Sequence, residues 1–191
     1  MKVGLYFGSF NPVHIGHLAL ANYIVEYTGL EAVWFVVSPQ NPLKQRAQLL
    51  DDYQRLHLVN LALRDFPKFR ACDVEFRMPK PSYTIDTLAY LGEQHPNHEF
   101  TLIMGEDNLA TLHKWKNYEL LLNNYRIMVY PRPNCLKTDF HTHLHVQLID
   151  APQIDISSSF IRQSIASGKD VRFFVPEKAW EYIDEMNFYK K

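Results

Sequence analysis

Gly8-Ser9-Phe10-Asn11-Pro12-Val13-His14-Ile15-Gly16-His17-Leu18 is the stretch on which the fold of this chain depends. An apolar run over residues 3–7 precedes it, and a helical pattern over residues 18–27 follows it. Such a run is typical of a strand that is buried on both faces of a parallel sheet. The stretch therefore predicts a turn from a buried strand into a helix.

The residues of this turn suit an anion. A glycine after a strand allows a ligand to approach the backbone closely, and the free N–H groups of the following helix favour negative charge. His14 and His17 lie three positions apart at the helix start, so they project from one face toward the same place. The turn is neither a G-x-G-x-x-G fingerprint nor a P-loop. It predicts phosphate chemistry, and the alternative is a capped helix with two surface histidines.

Apolar runs and helical patterns alternate along the rest of the chain. Further strands are predicted at residues 32–37, 69–74, 100–104, 126–130 and 145–149. Helices are predicted from Asp51 or Asp52 to 63, at 84–94, from Ser157 or Ser158 to 167, and from Pro176 to 186, with short pieces at 109–113 and 118–123. This alternation predicts an α/β fold with a mainly parallel sheet. The loops that follow its strands then share one edge, where such sheets bind ligands.

Composition excludes several classes of function. Lys and Arg number 20 against 21 Asp and Glu, so the net charge of -1 offers no basic surface to nucleic acid. Two cysteines without metal-binding spacing indicate a reducing, cytoplasmic location. Because no apolar run approaches the ~20 residues that span a bilayer, we expect no membrane partner. The oligomeric state is left open, and a homo-oligomer is compatible with the sequence.

The turn resembles the signature of the HxGH nucleotidyltransferase superfamily, at Gly8, Phe10, Pro12, His14, Gly16 and His17. The second, C-terminal nucleotide motif of that superfamily resembles Ile156-Ser157-Ser158-Ser159-Phe160-Ile161-Arg162. Within the superfamily the chain is similar to the bacterial nicotinate-nucleotide adenylyltransferases, through Ser82-Tyr83-Thr84-Ile85-Asp86-Thr87-Leu88, Gly105-Glu106-Asp107-Asn108-Leu109, His113-Lys114-Trp115-Lys116 and Arg132-Pro133. Asn134 replaces the glycine that usually follows, and asparagine also tolerates a left-handed backbone.

The resemblance implies a Rossmann-like, doubly wound fold in a single domain, 1–191, whose C-terminal helical part, about 157–191, carries the second ATP motif. It implies adenylyl transfer from ATP, bound with Mg²⁺, to nicotinate mononucleotide. No metal-binding residue is predicted, and whether protein side chains also hold the Mg²⁺ is left open. The implied catalytic residues are His14, His17 and Arg162. The implied ATP-binding residues are Gly8, Ser9, Phe10, His14, Gly16, His17, Gly105, Asp107, Arg132, Ser158, Ser159 and Arg162. The implied mononucleotide-binding residues are Asn11, Lys44, Tyr83, Thr84 and Trp115.

Most of these residues also have a structural interpretation. Ser157 to Ser159 suit a helix N-cap whatever the ligand, and Asp107 could cap the short helix that follows it. Lys44 and Trp115 could be ordinary surface residues. His141, His143 and His145 alternate as they would along one face of a strand, but no carboxylate or thiolate joins them at ligand spacing, so we do not expect a metal there.

Three other functions stay open at this point. One is another adenylyltransferase of the superfamily, acting on nicotinamide mononucleotide or phosphopantetheine. A class I aminoacyl-tRNA synthetase fragment shares His-Ile-Gly-His, but a Lys-Met-Ser-Lys-Ser-like segment is missing from the sequence. The third is a non-catalytic nucleotide-binding module, against which the intact histidine pair argues.

Overall fold

A computed structural model of the chain describes residues 1–39 and 49–190. Its strands are β1 (Lys2–Gly8), β2 (Ala32–Val37), β3 (Phe69–Cys72), β4 (Glu99–Gly105), β5 (Arg126–Tyr130) and β6 (Val146–Leu148). Its α-helices are α1 (Ile15–Tyr27), α2 (Asp52–Leu63), α3 (Thr84–Gln94), α4 (Glu106–Ala110), α5 (Tyr118–Asn124), α6 (Ser158–Ala166) and α7 (Glu177–Glu185). In the described ranges, no helix is both long enough and apolar enough to span a bilayer.

The strands form one sheet in the order β3-β2-β1-β4-β5-β6, and every pairing is parallel. The chain moves outward from β1 to β3 and then returns to the other side of β1 with β4. The order therefore reverses between β1 and β4, which in such sheets opens a crevice at the carboxyl ends of the strands. The α/β fold and its doubly wound parallel sheet are confirmed.

Two apolar cores cover the two faces of the sheet. Alternate residues of the central strands point to opposite faces, so that Val33 and Phe35 pack with α1, α2, α6 and α7, whereas Trp34 and Val36 pack with α3 and α5. All six residues of β2 are buried, as expected for a strand between two helical layers. This burial on both faces makes the sheet a rigid base for the loops at its carboxyl edge.

Helix ends agree with the sequence pattern in most places. The Asp51 side chain caps α2 by accepting from Tyr53 N, 2.9 Å away, and Ser157 caps α6 by accepting from Phe160 N, 3.1 Å away. Gly29 and Gly168 take left-handed backbone angles just beyond α1 and α6, which suits glycine. Pro176 differs from expectation, because its extended backbone makes it the residue before α7 rather than the first helical residue.

The histidine-rich segment before β6 is not a strand, and that prediction was wrong. Residues Asp139–Thr142 form a 3-10 turn, His143 follows it, and β6 begins only at Val146. The Thr138 N–H donates to His141 Nδ1 across 3.0 Å, and His143 N donates to the Phe140 carbonyl across 3.1 Å. Such local hydrogen bonds compete with a strand ladder, so the histidines do not share one strand face.

Arg55 of α2 joins the turn after β1 to both ends of the connection between β2 and α2. Its side chain is fully buried. Its guanidinium donates to the carbonyl oxygens of Ser9 at 2.6 Å, Ser38 at 2.9 Å and Leu50 at 3.0 Å, and it pairs with Asp52. Backbone acceptors that are shielded from water need partners, and this one side chain supplies them for the turn after β1 and for both ends of the connection from β2 to α2.

Arg55→Met should lower the free energy of unfolding by about 3 kcal/mol, because it leaves three carbonyl oxygens and a carboxylate without their donor. Urea unfolding followed by circular dichroism measures this. Arg77→Met is the matched control, since Arg77 is 80% exposed and pairs with Asp73 along one surface turn. The control should change stability by less than about 0.5 kcal/mol. Equal effects of the two substitutions would contradict the assigned role of Arg55.

Candidate active site

The predicted phosphate turn lies at the point where strand order reverses. Gly8 ends β1, and Ile15 begins α1, so the residues between them form the turn itself. Phe10 has a left-handed backbone angle of 43° and a ring that is 1% exposed. That ring packs edge-on against His17, with 5.1 Å between ring centroids. The Phe10 side chain therefore packs against His17 inside the core, and only the backbone of Phe10 can contact a ligand.

His14 and His17 form a stacked pair at the start of α1. Their ring centroids are 3.7 Å apart, and His17 Nδ1 accepts from the His14 N–H at 3.1 Å. A side chain at Gly16 would bring its Cβ within 3.1 Å of His14 Nδ1, so the glycine makes room for the imidazole. His14 Nδ1 is buried and has no hydrogen-bond partner in residues 1–39 and 49–190.

Both imidazoles are neutral at pH 7 in the free protein. Burial, with a smaller effect of the Arg132 charge, lowers the pKa of His14 from its usual 6.5 to about 4. Burial, followed by the effects of His14 and Arg132, lowers the pKa of His17 well below its usual value. A neutral imidazole offers one N–H donor. Two of them can therefore stack closely without charge repulsion and still donate to an anion.

The second predicted motif, at the start of α6, contacts the turn directly. The Ser158 hydroxyl donates to the Pro12 carbonyl at 2.9 Å, and Arg162 Nη1 donates to the Asn11 carbonyl at 2.7 Å. Arg162 Nη2 also donates to the Ser159 hydroxyl at 3.2 Å. Arg162 Nε is buried without a partner among the described residues. The structure thus brings the two predicted nucleotide motifs into contact, through residue pairs that are 146 and 151 positions apart in the chain.

A cavity of about 230 Å³ opens between these two motifs and the loop after β5. The predicted residues His14, Gly16, His17, Arg132 and Ser158 all line it. The walls therefore combine two imidazoles, a guanidinium and the N-terminal ends of two helices. Each of these features favours negative charge or donates hydrogen bonds, so the cavity suits a polyphosphate.

Gly105, Asp107 and Arg132 lie together where β4 and β5 end. Arg132 Nε is 3.8 Å from Asp107 Oδ1, and the Arg132 N–H donates to Glu106 Oε2 at 3.0 Å. A Cβ at Gly105 would overlap the Asp107 carboxylate, so glycine is needed for this close approach. Asn134 has a φ of 59°, which confirms its suitability for the left-handed position.

Three of the predicted mononucleotide residues, Tyr83, Thr84 and Trp115, lie in or near α3. Tyr83 and Thr84 begin α3, and the Lys116 ammonium lies 4.5 Å from the centre of the Tyr83 ring. Lys116 also pairs with Asp86 of α3 at 2.8 Å. Trp115 directly precedes Lys116 and packs, partly buried, against the apolar core to which Ile85 of α3 belongs. Lys44 lies outside the described residues.

Asn11, the remaining predicted mononucleotide residue in the described part of the chain, is buried, with 3% of the residue exposed. Its Oδ1 accepts from the Leu50 N–H at 3.3 Å and from the Tyr189 hydroxyl at 2.8 Å. Its carbonyl accepts from Arg162, as described above. The side chain that the sequence associates with the mononucleotide thus holds the turn in place.

A buried carboxyl supports the start of α3. Glu75 Oε1 accepts from the Thr87 hydroxyl at 2.9 Å, and the same hydroxyl reaches the Tyr83 carbonyl at 3.2 Å. Burial raises the pKa of the Glu75 carboxyl, and hydrogen bonds from Thr87, Ser38 and Ser82 oppose that rise. Glu75 therefore links the end of β2 to the first turn of α3.

Sequence reasoning missed Arg55, Glu75 and Tyr189. Arg55 could have been found, because it stands three and four residues before Leu58 and Val59 on the buried face of α2. A charged residue at a buried helical position needs partners. Glu75 and Tyr189 follow no such periodic pattern, so their burial depends on tertiary contacts that the sequence does not reveal.

Comparisons with known proteins agree with this geometry. A family model described as cytidylyltransferase-like matches residues 5–164. A probable nicotinate-nucleotide adenylyltransferase of Flavobacterium psychrophilum is 55% identical over 193 residues and is covered completely, as is this chain. One of Bacteroides thetaiotaomicron is 49% identical, covering 97% of this chain and 92% of the relative.

A solved structure has the same fold. The Plasmodium falciparum nicotinic acid mononucleotide adenylyltransferase complexed with NaAD superimposes with a TM-score of 0.81 at 20% identity, covering 98% of this chain and 97% of that one. With a family model over most of the chain and relatives near half identical over its full length, this chain belongs to the nicotinate-nucleotide adenylyltransferases of the cytidylyltransferase-like family.

Proposed function

We propose that the chain transfers the adenylyl group of ATP to nicotinate mononucleotide, giving deamido-NAD and pyrophosphate, as a step of NAD biosynthesis. The observation that carries this proposal is the stacked pair His14 and His17, which lines the same cavity as Arg132 and the start of α6. Membership of the family supports the identity of the acceptor.

The proposed reaction asks little acid–base chemistry of the protein. The attacking group is a phosphate monoester, whose second pKa is near ~6, so it is already ionised at pH 7. An oxygen of the mononucleotide phosphate bonds to the α-phosphorus of ATP, and the bond from that phosphorus to the bridging oxygen of the β-phosphate breaks. Pyrophosphate leaves with that electron pair. The protein then has to hold two polyanions in line and stabilise the charge that develops.

The site residues fit that task by resemblance and by position. Neutral imidazoles of His14 and His17 would donate to phosphate oxygens, and Arg162 with Ser158 and Ser159 would hold the β- and γ-phosphates at the start of α6. Gly8, Ser9 and Gly16 would let the phosphates approach the backbone. The Asp107 carboxylate would accept hydrogen bonds from the ribose hydroxyls of ATP, because an ionised carboxylate is an acceptor only. Arg132, which lies beside Asp107, would remain its partner.

Nucleotidyltransferases of this family generally use a divalent metal together with ATP, and we propose Mg²⁺ here. In residues 1–39 and 49–190 no three His, Cys, Asp or Glu side chains come together as a ligand set. The side chains near the cavity thus offer no carboxylate cage, and the ion would be held by the phosphates of ATP, whose charge it would partly neutralise.

The activity is tested by mixing the protein with ATP, Mg²⁺ and either nicotinate or nicotinamide mononucleotide, and measuring pyrophosphate and the dinucleotide. We expect turnover with both substrates present and a higher kcat/KM for the nicotinate form. If neither mononucleotide is turned over, the proposed enzymatic activity is refuted. If nicotinamide mononucleotide is preferred, the proposed substrate is refuted.

His14→Ala and His17→Ala should each lower kcat by about 10²–10³-fold, because donors aimed at developing phosphate charge act mainly in the transition state. The Kd of nicotinate mononucleotide, measured by calorimetry, should change by less than about threefold. His95→Gln is the control, since His95 ends α3 at the opposite edge of the sheet. Comparable losses in kcat and in mononucleotide affinity would show that the pair mainly positions that substrate.

The lowered pKa values predict a loss of stability in acid. Between pH 6.5 and about 4 the unfolded chain binds protons at these histidines and the folded chain does not, so the free energy of unfolding falls as the pH falls. For His14 alone the loss is about 3 kcal/mol by pH 4. Replacing both histidines by Gln should flatten this slope, whereas His113→Gln, at an exposed position, should leave it. An unchanged slope in the double variant would contradict the neutral pair.

Trp115→Ala should raise the KM for nicotinate mononucleotide by about 5- to 150-fold, because a stacked aromatic ring contributes about 1–3 kcal/mol to binding a flat ring. The KM for ATP should change by less than about threefold. Trp115→Phe keeps an aromatic face and should restore most of the affinity. An equal rise in the KM for nicotinate mononucleotide and the KM for ATP would indicate that Trp115 stabilises the local structure instead of contacting the mononucleotide.

A further inference from the structure

Asn11 joins three distant parts of the chain to the phosphate turn. Its Oδ1 accepts from the Tyr189 hydroxyl at 2.8 Å and from the Leu50 N–H at 3.3 Å, and its carbonyl accepts from Arg162 at 2.7 Å. The amide is 3% exposed. A buried, hydrogen-bonded amide of this kind fixes the backbone on which it stands, and here that backbone runs directly into His14.

Tyr189 reaches Asn11 because the chain folds back after α7. Asn187 takes a left-handed φ of 53°, which suits asparagine, and Phe188 then enters the core, with its ring 5.5 Å from that of Tyr182. Tyr189 itself has a φ of 63°. That conformation is unfavourable for a bulky residue, so the contacts of its side chain must offset an unfavourable backbone.

The phenol of Tyr189 is close enough to two guanidinium groups to feel their charges. The charges of Arg162 and Arg55 both act on it, and they favour its ionisation, but burial raises the pKa of Tyr189 more strongly than they lower it. The hydroxyl therefore keeps its proton and donates to Asn11. Arg162 and Arg55 in turn donate to the Asn11 and Ser9 carbonyls, so the hydroxyl, the two guanidinium groups and the turn form one connected network.

We propose that Tyr189 is a positioning residue of adenylyl transfer. Through Asn11, its hydroxyl holds the phosphate turn and Arg162 in the arrangement that receives the polyphosphate. The proposal rests on the proposed function, since its effect is measured on that reaction. Tyr189 would thus affect catalysis although it lies outside both nucleotide motifs, the second of which ends at Arg162.

The test compares Tyr189→Phe, which removes only the hydroxyl, with Tyr182→Phe in the neighbouring helix. The steady-state kinetics of adenylyl transfer and the thermal midpoint are measured for both. We expect Tyr189→Phe to lower kcat about tenfold, the effect of one hydrogen bond, with a change of less than about threefold in the KM for ATP. Tyr182→Phe should keep the wild-type kcat. A lower thermal midpoint with unchanged kcat would overturn the proposal, as would a wild-type kcat at an unchanged midpoint.

A double-mutant cycle separates positioning from general loosening. If Tyr189 acts through Asn11 on Arg162, the effects of Tyr189→Phe and Arg162→Lys on kcat should be clearly less than additive. Strict additivity would contradict the coupling. If Tyr189→Phe does not fold, chains shortened to 189 and to 188 residues replace it, and only the shorter one should lose activity. An inactive wild-type protein would instead refute the proposed function, which keeps the two failures distinct.

Discussion

Three backbone carbonyl oxygens of the phosphate turn accept hydrogen bonds from side chains elsewhere in the fold, and the site depends on these contacts. Arg55 of α2 donates to Ser9, Arg162 of α6 donates to Asn11, and Ser158 donates to Pro12, at 2.6, 2.7 and 2.9 Å. The turn has no ladder of its own, and these three hydrogen bonds are partly buried, so the donors hold its conformation. Helices that are far apart in sequence thus shape the segment between β1 and α1.

This constraint also determines the electrostatics of the site. The same packing that fixes the turn buries His14 and His17, and burial keeps both rings neutral. A site that combines neutral imidazole donors, two helix N-termini and the guanidinium groups of Arg132 and Arg162 suits a polyanion, and its two neutral rings can stack without charge repulsion. In the proposed reaction the histidines would act as hydrogen-bond donors rather than bases, which agrees with a nucleophile that is ionised before it binds.

The sequence predicted the sheet and the nucleotide motifs because both depend on local patterns. Buried apolar runs locate β1 and β2, and the spacing of the histidine pair with Ser158 and Arg162 locates the phosphate site. Tyr189 could not be predicted, since its position depends on a chain reversal after α7 that no periodic pattern reveals. The strand predicted for His141 to His145 was wrong for a similar reason, because side-chain hydrogen bonds from Thr138 and His141 stabilise a turn there.

The protonation of the histidine pair tests the central claim most directly. Selective ¹⁵N labelling of histidine, with spectra of His14→Gln and His17→Gln for assignment, reports the charge of each ring by NMR. At pH 7 the free protein should show two neutral imidazoles at these positions, each with one protonated nitrogen. An imidazolium at either position in the free protein would contradict the account, because that histidine would then bind phosphate through its positive charge rather than as a neutral hydrogen-bond donor.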